Sequence, residues 1–327
     1  MVEELEPYLE EAISALGIEV IGKERIPRDG ELTPKIVADA LGDLVAVDLG
    51  GAARPSSREE AVDLSWLNSV DLPNRPPVMC PGCPHRGVFY ALSKLKMVVS
   101  GDIGCYTLSV LPPLDGIDCQ VCMGAGVGMA LGLERAFSRS ETNAALSRKV
   151  VGVLGDSTFI HSGITGLVDM VYNGSFATII ILDNRTTAMT GFQEHPGTGI
   201  TLQGERNPAL DLVELCKTLG VASVRVIDPW DLKETERAIK EEAASATSSV
   251  IISSRPCILK QRPVRDERLE ISDELCNDCG LCMRLGCPAL AKQGEKPAII
   301  QELCAGCDLC EQLCRREAIE RRPLDGR

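Results

Sequence analysis

The stretch that decides the fold is residues 150–157, VVGVLGDS, in which six small or apolar residues are followed at once by a carboxylate. A valine-rich run without polar alternation is typical of a β-strand buried on both faces. Similar runs occur before and after it in the chain, and segments with helical spacing lie between them. The predicted strands are residues 97–102, 150–155, 178–183, 221–227 and 249–254.

Helical patterns alternate with these strands along the chain. Strand and helix in regular alternation predict an α/β fold, a doubly wound and mostly parallel sheet with helices on both faces. Ligands bind such sheets at the carboxyl ends of the strands, so polar residues that directly follow strands are the first candidates for a site. The predicted helices are residues 86–94, 124–138, 160–172, 208–219 and 229–245.

Composition excludes several classes of protein. The chain has 327 residues, of which 44% are hydrophobic, and a formal net charge of −13. The hydrophobic fraction supports a sizeable core, whereas the acidic balance argues against a nucleic-acid partner, because neutralising phosphates requires surplus Lys and Arg. No apolar run reaches the roughly 18–20 residues of a membrane span, and the N-terminus is acidic. We therefore expect a cytoplasmic protein that binds neither nucleic acid nor a membrane.

The 15 cysteines are unevenly distributed, and eight of them lie between Cys276 and Cys314. In a chain that is not exported, thiols stay reduced, so metal coordination is expected rather than disulfides. A mixed-charge segment at 260–268 predicts a linker before this cysteine-rich part. The predicted regions are residues 1–75, the tail of a preceding domain with a connector; residues 76–261, the α/β domain; and residues 262–327, the cysteine-rich domain.

The cysteine-rich domain contains two arrays, at 276–287 and 304–314, in which three cysteines recur at every third position. This spacing binds a [4Fe–4S] cluster, and in two-cluster ferredoxins the fourth ligand comes from the other array. We expect a small α+β domain like a bacterial ferredoxin; paired zinc knuckles are the alternative, although these usually show cysteine pairs rather than triplets. The predicted ligands are Cys276, Cys279, Cys282 and Cys314 for one cluster, and Cys304, Cys307, Cys310 and Cys287 for the other.

A second motif follows two predicted strands, with Gly-Asp-Ser at 155–157 and Asp-Asn at 183–184. Mg²⁺ prefers oxygen ligands in octahedral geometry. The carboxylate of Asp156, the amide oxygen of Asn184 and the backbone carbonyl of Thr186 are its predicted ligands, and the loop that follows can close over a diphosphate. The residues predicted to bind this group are Gly155, Asp156, Ser157, Asp183, Asn184, Thr186, Thr187, Met189, Thr190 and Gly191.

Together with MCPGCPHR at 79–86 and GDIGCY at 101–106, these motifs resemble the thiamine diphosphate (TPP) binding half of TPP-dependent enzymes. Nearly the whole chain is similar to the C-terminal half of the large subunit in the indolepyruvate:ferredoxin oxidoreductase family. The resemblance implies TPP with Mg²⁺ in residues 76–261 and two [4Fe–4S] clusters in residues 262–327. It also implies oxidative decarboxylation of aryl pyruvates to aryl-acetyl-CoA, with electrons passed to ferredoxin.

Two other functions remain open at this point. One is a non-catalytic iron–sulfur subunit for electron transfer, and the other is an oxidoreductase for a different 2-oxoacid, such as pyruvate or 2-oxoglutarate. Both would preserve the cysteine arrays, but only the second would bind TPP with Mg²⁺.

The resemblance implies further site residues. Related 2-oxoacid:ferredoxin oxidoreductases hold a cluster beside TPP, and the matching positions here are Cys80, Cys83, Cys105 and Cys257. Cys122 is the alternative fourth ligand, and ordinary buried thiols are the alternative for the whole group. The resemblance also places His161 and His195 near the cofactor as candidates for a catalytic role, with a surface or capping role as the alternative.

TPP-dependent enzymes activate the cofactor with a glutamate that lies on a separate pyrimidine-binding domain. Residues 1–75 are too short to form that domain. The resemblance therefore implies a partner chain that supplies the glutamate, and a small β- or γ-type subunit that completes the complex. We expect the chain alone to be inactive.

Overall fold

The computed structural model describes residues 8–21, 23, 25–26, 33, 36–37, 40, 76–263 and 267–323. The chain forms two compact units, residues 1–74 and residues 75–327. Within the first unit, helix α1 spans Tyr8–Ser14. The second unit contains both the predicted α/β region and the cysteine-rich region, and the boundary between them near residue 262 stays a prediction.

The second unit is built on six parallel strands. They are β1 (Val98–Gly101), β2 (Cys119–Gln120), β3 (Val150–Gly155), β4 (Thr178–Asp183), β5 (Ser223–Ile227) and β6 (Ser249–Ser254). Their order in the sheet is β2-β1-β3-β4-β6-β5, and every neighbouring pair is parallel. The α/β fold with a parallel sheet is therefore confirmed.

Helices cover both faces of this sheet. They are α2 (His85–Leu95), α3 (Ala125–Ser138), α4 (Ile164–Tyr172), α5 (Leu212–Thr218) and α6 (Leu232–Ala244). Along β4, Ile180 and Leu182 belong to the core that α2 and α6 cover, whereas Ile179 and Ile181 belong to the core under α3, α4 and α5. Successive side chains of a strand point to opposite faces, so the middle of β4, residues 179–182, is apolar on both faces.

The cysteine-rich part contains two antiparallel pairs of strands and a short helix. Strand β7 (Glu267–Ile271) pairs with β10 (Ile319–Pro323), and β8 (Leu290–Gln293) pairs with β9 (Lys296–Ile299). Helix α7 spans Leu309–Leu313. Apolar residues of this part join the core of α2 and α6, so the two parts share one buried interface. Among the described residues, no helix combines the length and apolar character that a membrane crossing requires.

Candidate functional site

A cavity of about 100 Å³ lies where β1, β3 and β4 end. Residues that directly follow these strands form much of its wall, as expected at the carboxyl edge of a parallel sheet. Of the ten residues predicted to bind a diphosphate and Mg²⁺, all line this cavity except Asp183 and Gly191. A larger cavity of about 330 Å³ is lined by Asp183 and Arg185 but by none of the other nine.

Asp156 is the first residue after β3, and its side chain is buried. Its Oδ1 accepts a hydrogen bond from the N–H of Ser157 at 2.8 Å, and its Oδ2 accepts one from the N–H of Arg185 at 2.9 Å. Arg185 has a φ of 60°, which is uncommon for a residue with a side chain. Backbone N–H groups thus bind both carboxylate oxygens and fix the orientation of this side chain.

Asn184 follows β4 and is also buried. Its Oδ1 accepts a hydrogen bond from the N–H of Thr186 at 3.2 Å, and its Nδ2 lies 3.4 Å from Nε2 of His85. Burial lowers the pKa of His85 to about 4, so the ring is neutral and its Nε2 can accept from the amide. The contact with His85 leaves Oδ1 of Asn184 as the oxygen available to a ligand.

The two histidines considered for catalysis have different surroundings. His195 is buried; its Nδ1 accepts a hydrogen bond from the N–H of Gly197 at 3.2 Å, and its Nε2 lies 3.2 Å from Oδ2 of Asp156. Because Nδ1 accepts, the ring proton is on Nε2, and His195 donates to Asp156. His161 is exposed, contacts the hydroxyl of Ser162, and does not line the cavity.

Sequence reasoning assigned no role to Asp102 and Tyr106, although both belong to this site. The hydroxyl of Tyr106 donates to Asp102 and accepts a hydrogen bond from the N–H of Gly155 at 3.1 Å, and Asp102 accepts another from the N–H of Gly124 at 2.9 Å. Burial raises the pKa of both Asp102 and Tyr106. The available signal was position, because Asp102 follows β1 in the same way as Asp156 follows β3.

Four cysteines from three separate segments meet beside the cavity. Cys105 lies in the cavity wall. Burial raises the pKa of Cys80 and of Cys105, and repulsion from Cys257 adds to both shifts. Burial also raises the pKa of Cys83 to about 12, with smaller contributions from Cys80 and Cys105. We call Cys80, Cys83, Cys105 and Cys257 the proximal set.

The remaining predicted ligands form two further groups, each of which lines a pocket of its own. We call Cys287, Cys304, Cys307 and Cys310 the middle set. We call Cys276, Cys279, Cys282 and Cys314 the terminal set. Each pocket thus draws cysteines from both arrays. Within the described part of the chain, no three His, Cys, Asp or Glu side chains are placed so as to hold a single metal ion.

Comparison with known families agrees with the α/β fold and with the position of the cavity at the strand ends. Residues 102–253 match the family model described as thiamine pyrophosphate enzyme, C-terminal TPP binding domain. The match begins at Asp102, at the end of β1, and includes the strand ends that carry Asp156 and Asn184. Residues 102–253 are therefore similar to the TPP-binding domain that this model describes.

The chain is similar in sequence to proteins named indolepyruvate oxidoreductase subunit IorA. It is 35% identical over 322 residues to that subunit of Pyrococcus horikoshii, which covers 90% of this chain and 48% of the relative. With the subunit of Archaeoglobus fulgidus it shares 37% identity over 334 residues, covering 98% of this chain and 51% of the relative. The chain therefore spans about half the length of the curated relatives that it matches.

Solved structures give a further comparison. The structure of 2-oxoglutarate:ferredoxin oxidoreductase from Magnetococcus marinus covers 57% of this chain and 66% of that chain, with a TM-score of 0.45 and 19% sequence identity.

Proposed function

We propose that residues 76–261 bind TPP through its diphosphate and Mg²⁺, and that residues 262–327 hold two [4Fe–4S] clusters. The observation that carries this proposal is the cavity at the sheet edge. Asp156 and Asn184 reach it from neighbouring strands. Cys105, a member of the proximal set, lies in the same wall, so the cofactor site and the first group of thiols adjoin.

The residues present fit these groups. Asp156 and Asn184 would supply side-chain oxygens to Mg²⁺, and Thr186 its backbone carbonyl, which is the oxygen chemistry that this cation prefers. The hydroxyls of Thr187 and Thr190 would bind diphosphate oxygens. Each pocket of the middle and terminal sets offers four thiols, the number that a [4Fe–4S] cluster takes. The proximal set offers four more.

We further propose that the chain is part of an indolepyruvate:ferredoxin oxidoreductase, which would convert aryl pyruvates and CoA to aryl-acetyl-CoA. Its relatives carry the name indolepyruvate oxidoreductase, which supports this substrate class. TPP supplies a carbon nucleophile for the 2-keto group and stores the electron pair that remains after CO₂ leaves. The protein's own part is to hold the diphosphate end, to keep Asp156 oriented through His195, and to place thiols beside the cavity.

We propose that the activating glutamate lies on a pyrimidine-binding domain outside residues 76–323, carried by a partner chain. A small β- or γ-type subunit and ferredoxin are the other proposed partners. The relatives are named as subunits, which supports an assembly of several chains.

Calorimetry tests the cofactor site. We expect anaerobically prepared protein to bind TPP in the presence of Mg²⁺, and Asp156→Asn to abolish that binding because it removes the ligand charge. Asp169→Asn, which changes an exposed carboxylate on α4, is the matched control and should bind as wild type does. If the wild-type chain does not bind TPP, the cofactor proposal is wrong and the electron-transfer function is favoured.

Iron and activity measurements test the rest of the proposal. Two [4Fe–4S] clusters correspond to about eight irons per chain and three to about twelve, with matching sulfide. With indolepyruvate, CoA and a viologen dye, we expect turnover only when the partner chains are added. Turnover by the isolated chain would contradict the partner proposal. Competition with pyruvate and 2-oxoglutarate would identify the preferred 2-oxoacid.

A further inference from the structure

Arg86, in the first turn of α2, is a buried charge without an acidic partner. The residue is 2% exposed. Its Nη1 donates to the carbonyl of Leu285 at 2.6 Å, and its Nη2 donates to the carbonyls of Met79 at 2.6 Å and Cys80 at 3.2 Å. Its Nε is buried without a hydrogen-bond partner. Among the described residues, no carboxylate forms an ion pair with Arg86.

Burying a guanidinium charge without an opposite charge destabilises the folded state. Carbonyl dipoles satisfy most of its N–H groups, but they do not neutralise the guanidinium. Buried arginines are rare unless an opposite charge accompanies them. Because the described protein groups supply no such charge, the surroundings of Arg86 indicate a bound anion.

Thiol sets lie on two sides of this guanidinium. Arg86 lines the pocket of the middle set. On the other side, Arg86 contacts the proximal set directly: its Nη2 donates to the carbonyl of Cys80 at 3.2 Å, and its backbone N–H donates to the carbonyl of Cys83 at 3.1 Å. The two sets adjoin at this point, because a Cβ added to Gly82 would lie 2.6 Å from the Cβ of Ala305. Arg86 therefore occupies the junction between the proximal and middle sets.

We propose that Arg86 is a positioning residue for electron transfer, whose charge compensates the negative charge of clusters in the proximal and middle sets. The inference rests on the proposed function. Net charge is one of the properties that set the reduction potential of an iron–sulfur cluster. An electron that passed from a cluster held by the proximal set to one held by the middle set would oxidise the first and reduce the second, and its negative charge would stay beside Arg86. The positive charge thus favours the reduced form of both clusters.

Potentiometric titration followed by EPR tests this role on the cluster-loaded protein. We expect Arg86→Met to lower the midpoint potential of the affected clusters by at least about 59 mV. For one electron, this shift corresponds to a tenfold decrease in the equilibrium constant for reduction. Arg86→Lys keeps the charge and should stay close to wild type. Arg148→Met, which removes an exposed arginine that lines neither cysteine pocket, is the matched control. The terminal cluster, identified by its loss in Cys279→Ser, should keep its potential.

The possible outcomes distinguish an electrostatic role of Arg86 from a purely structural one. An unchanged potential in Arg86→Met, or equal shifts in Arg86→Met and Arg86→Lys, would overturn the proposal. If Arg86→Met does not fold, Arg86→Gln removes the charge and keeps an amide donor for one of the carbonyls. If neither neutral variant loads clusters while Arg86→Lys does, a charge is required and the proposal is supported; if Arg86→Lys also fails, the role is structural and the proposal is wrong. A wild-type chain that binds no iron would overturn the proposed function as well.

Discussion

His195 acts on the cavity through Asp156 rather than from the cavity wall. Removing it takes one hydrogen-bond donor from Oδ2 of the predicted metal ligand. Loss of such a partner commonly lowers metal affinity by about 10–100-fold, because the ligand loses its fixed orientation. We therefore expect His195→Ala to weaken the Mg²⁺-dependent binding of TPP by about that factor, measured by calorimetry at several Mg²⁺ concentrations.

The control for this prediction is His161→Ala. His161 is exposed and contacts only the neighbouring hydroxyl of Ser162 among the hydrogen bonds described for it. The His161→Ala variant should therefore bind TPP with the same affinity as the wild-type protein. Equal affinity in the two variants would show that the contact between His195 and Asp156 does not support the site.

Two acidic residues at neighbouring strand ends show how far the sequence can predict this site. Asp156 directly follows the valine-rich strand β3 and Asp183 is the last residue of the isoleucine-rich strand β4, and both were predicted to bind the cofactor. Only Asp156 lines the cavity. The carboxylate of Asp183 instead accepts from the hydroxyl of Ser254 at 2.6 Å and from Nε of Arg185 at 2.9 Å, and burial raises its pKa. No local pattern predicts the contact with Ser254, because that residue is 71 positions away in the chain.

Apolar patterns predicted the bounds of the central strands well and those of the edge strands poorly. The bounds of β3, β4 and β6 equal the predicted ones because these strands are buried on both faces and consist mostly of apolar or small residues. Strand β2, at the sheet edge, has only two residues, too few for any pattern. Helix α6 was predicted to begin at residue 229, but it begins at Leu232, and Asp231 caps it by accepting from the N–H of Glu234 at 3.0 Å.

Asp228 has a different role, which gives a pH-dependent prediction. It pairs with Arg255, and so connects the ends of β5 and β6. Burial by itself would raise the pKa of Asp228, but hydrogen bonds from Arg255 and from the N–H of Trp230 lower it overall. A lowered pKa means that the ionised form stabilises the fold above the unfolded value of about 3.9, and that this contribution is lost as the pH falls through the folded value.

We therefore expect Asp228→Asn to lower the free energy of unfolding at pH 7 by roughly 0.5–1 kcal/mol, since the pair is partly exposed. The difference from wild type should shrink below about pH 3.9 and disappear once the pH is below the lowered pKa of Asp228 in the folded state. Denaturant unfolding at a series of pH values measures it, with Asp273→Asn, an exposed aspartate, as control. A difference that stays constant down to low pH would mean that the charge of Asp228 is not responsible.

The contact between the loop at 80–83 and the cysteine-rich part is also testable. Gly82 has a φ of 69°, and its missing Cβ leaves room for Ala305. Gly82→Ala should destabilise the protein by about 1–3 kcal/mol through overpacking, in addition to backbone strain. Gly174→Ala is the control, because Gly174 has a similar φ of 61° but nothing within 4 Å of an added Cβ, so it reports the strain alone. Equal effects on thermal unfolding would mean that the two segments are not tightly packed.

Within residues 76–323, the three thiol sets follow one another from the cavity outward. The proximal set begins in the cavity wall at Cys105. Arg255, two residues before Cys257, lies near enough to Cys307 of the middle set to be affected by its charge. The pKa of Cys310 in the middle set is raised mainly by burial, and Cys282 of the terminal set lies near enough to add to this shift. The cysteines that line each of these two pockets are the ones that were predicted together, and their role as cluster ligands stays a prediction. The order of the sets relative to the cavity depends on long-range packing that no local pattern contains.

The proximal set lies between the cavity and the middle set. The identity of its fourth ligand therefore determines whether a cluster can form between them. Sequence reasoning left Cys257 and Cys122 as alternatives. Cys257 is buried, and its N–H donates to the carbonyl of Asn184 at 2.9 Å, which places it beside a predicted Mg²⁺ ligand. Cys122 is exposed. Cys257→Ser should therefore lose about four irons per chain, one [4Fe–4S] cluster, whereas Cys122→Ser should keep the wild-type content.

Iron and sulfide analysis with EPR on anaerobically prepared variants measures this difference. Loss of iron in Cys122→Ser alone would transfer the ligand role to Cys122. A wild-type content of about eight irons, unchanged in both variants, would mean that the proximal set forms no cluster. Electrons from the cavity would then have to reach the middle set directly, past Arg86 and the loop at 80–83, and the potential of the middle cluster alone would respond to Arg86→Met.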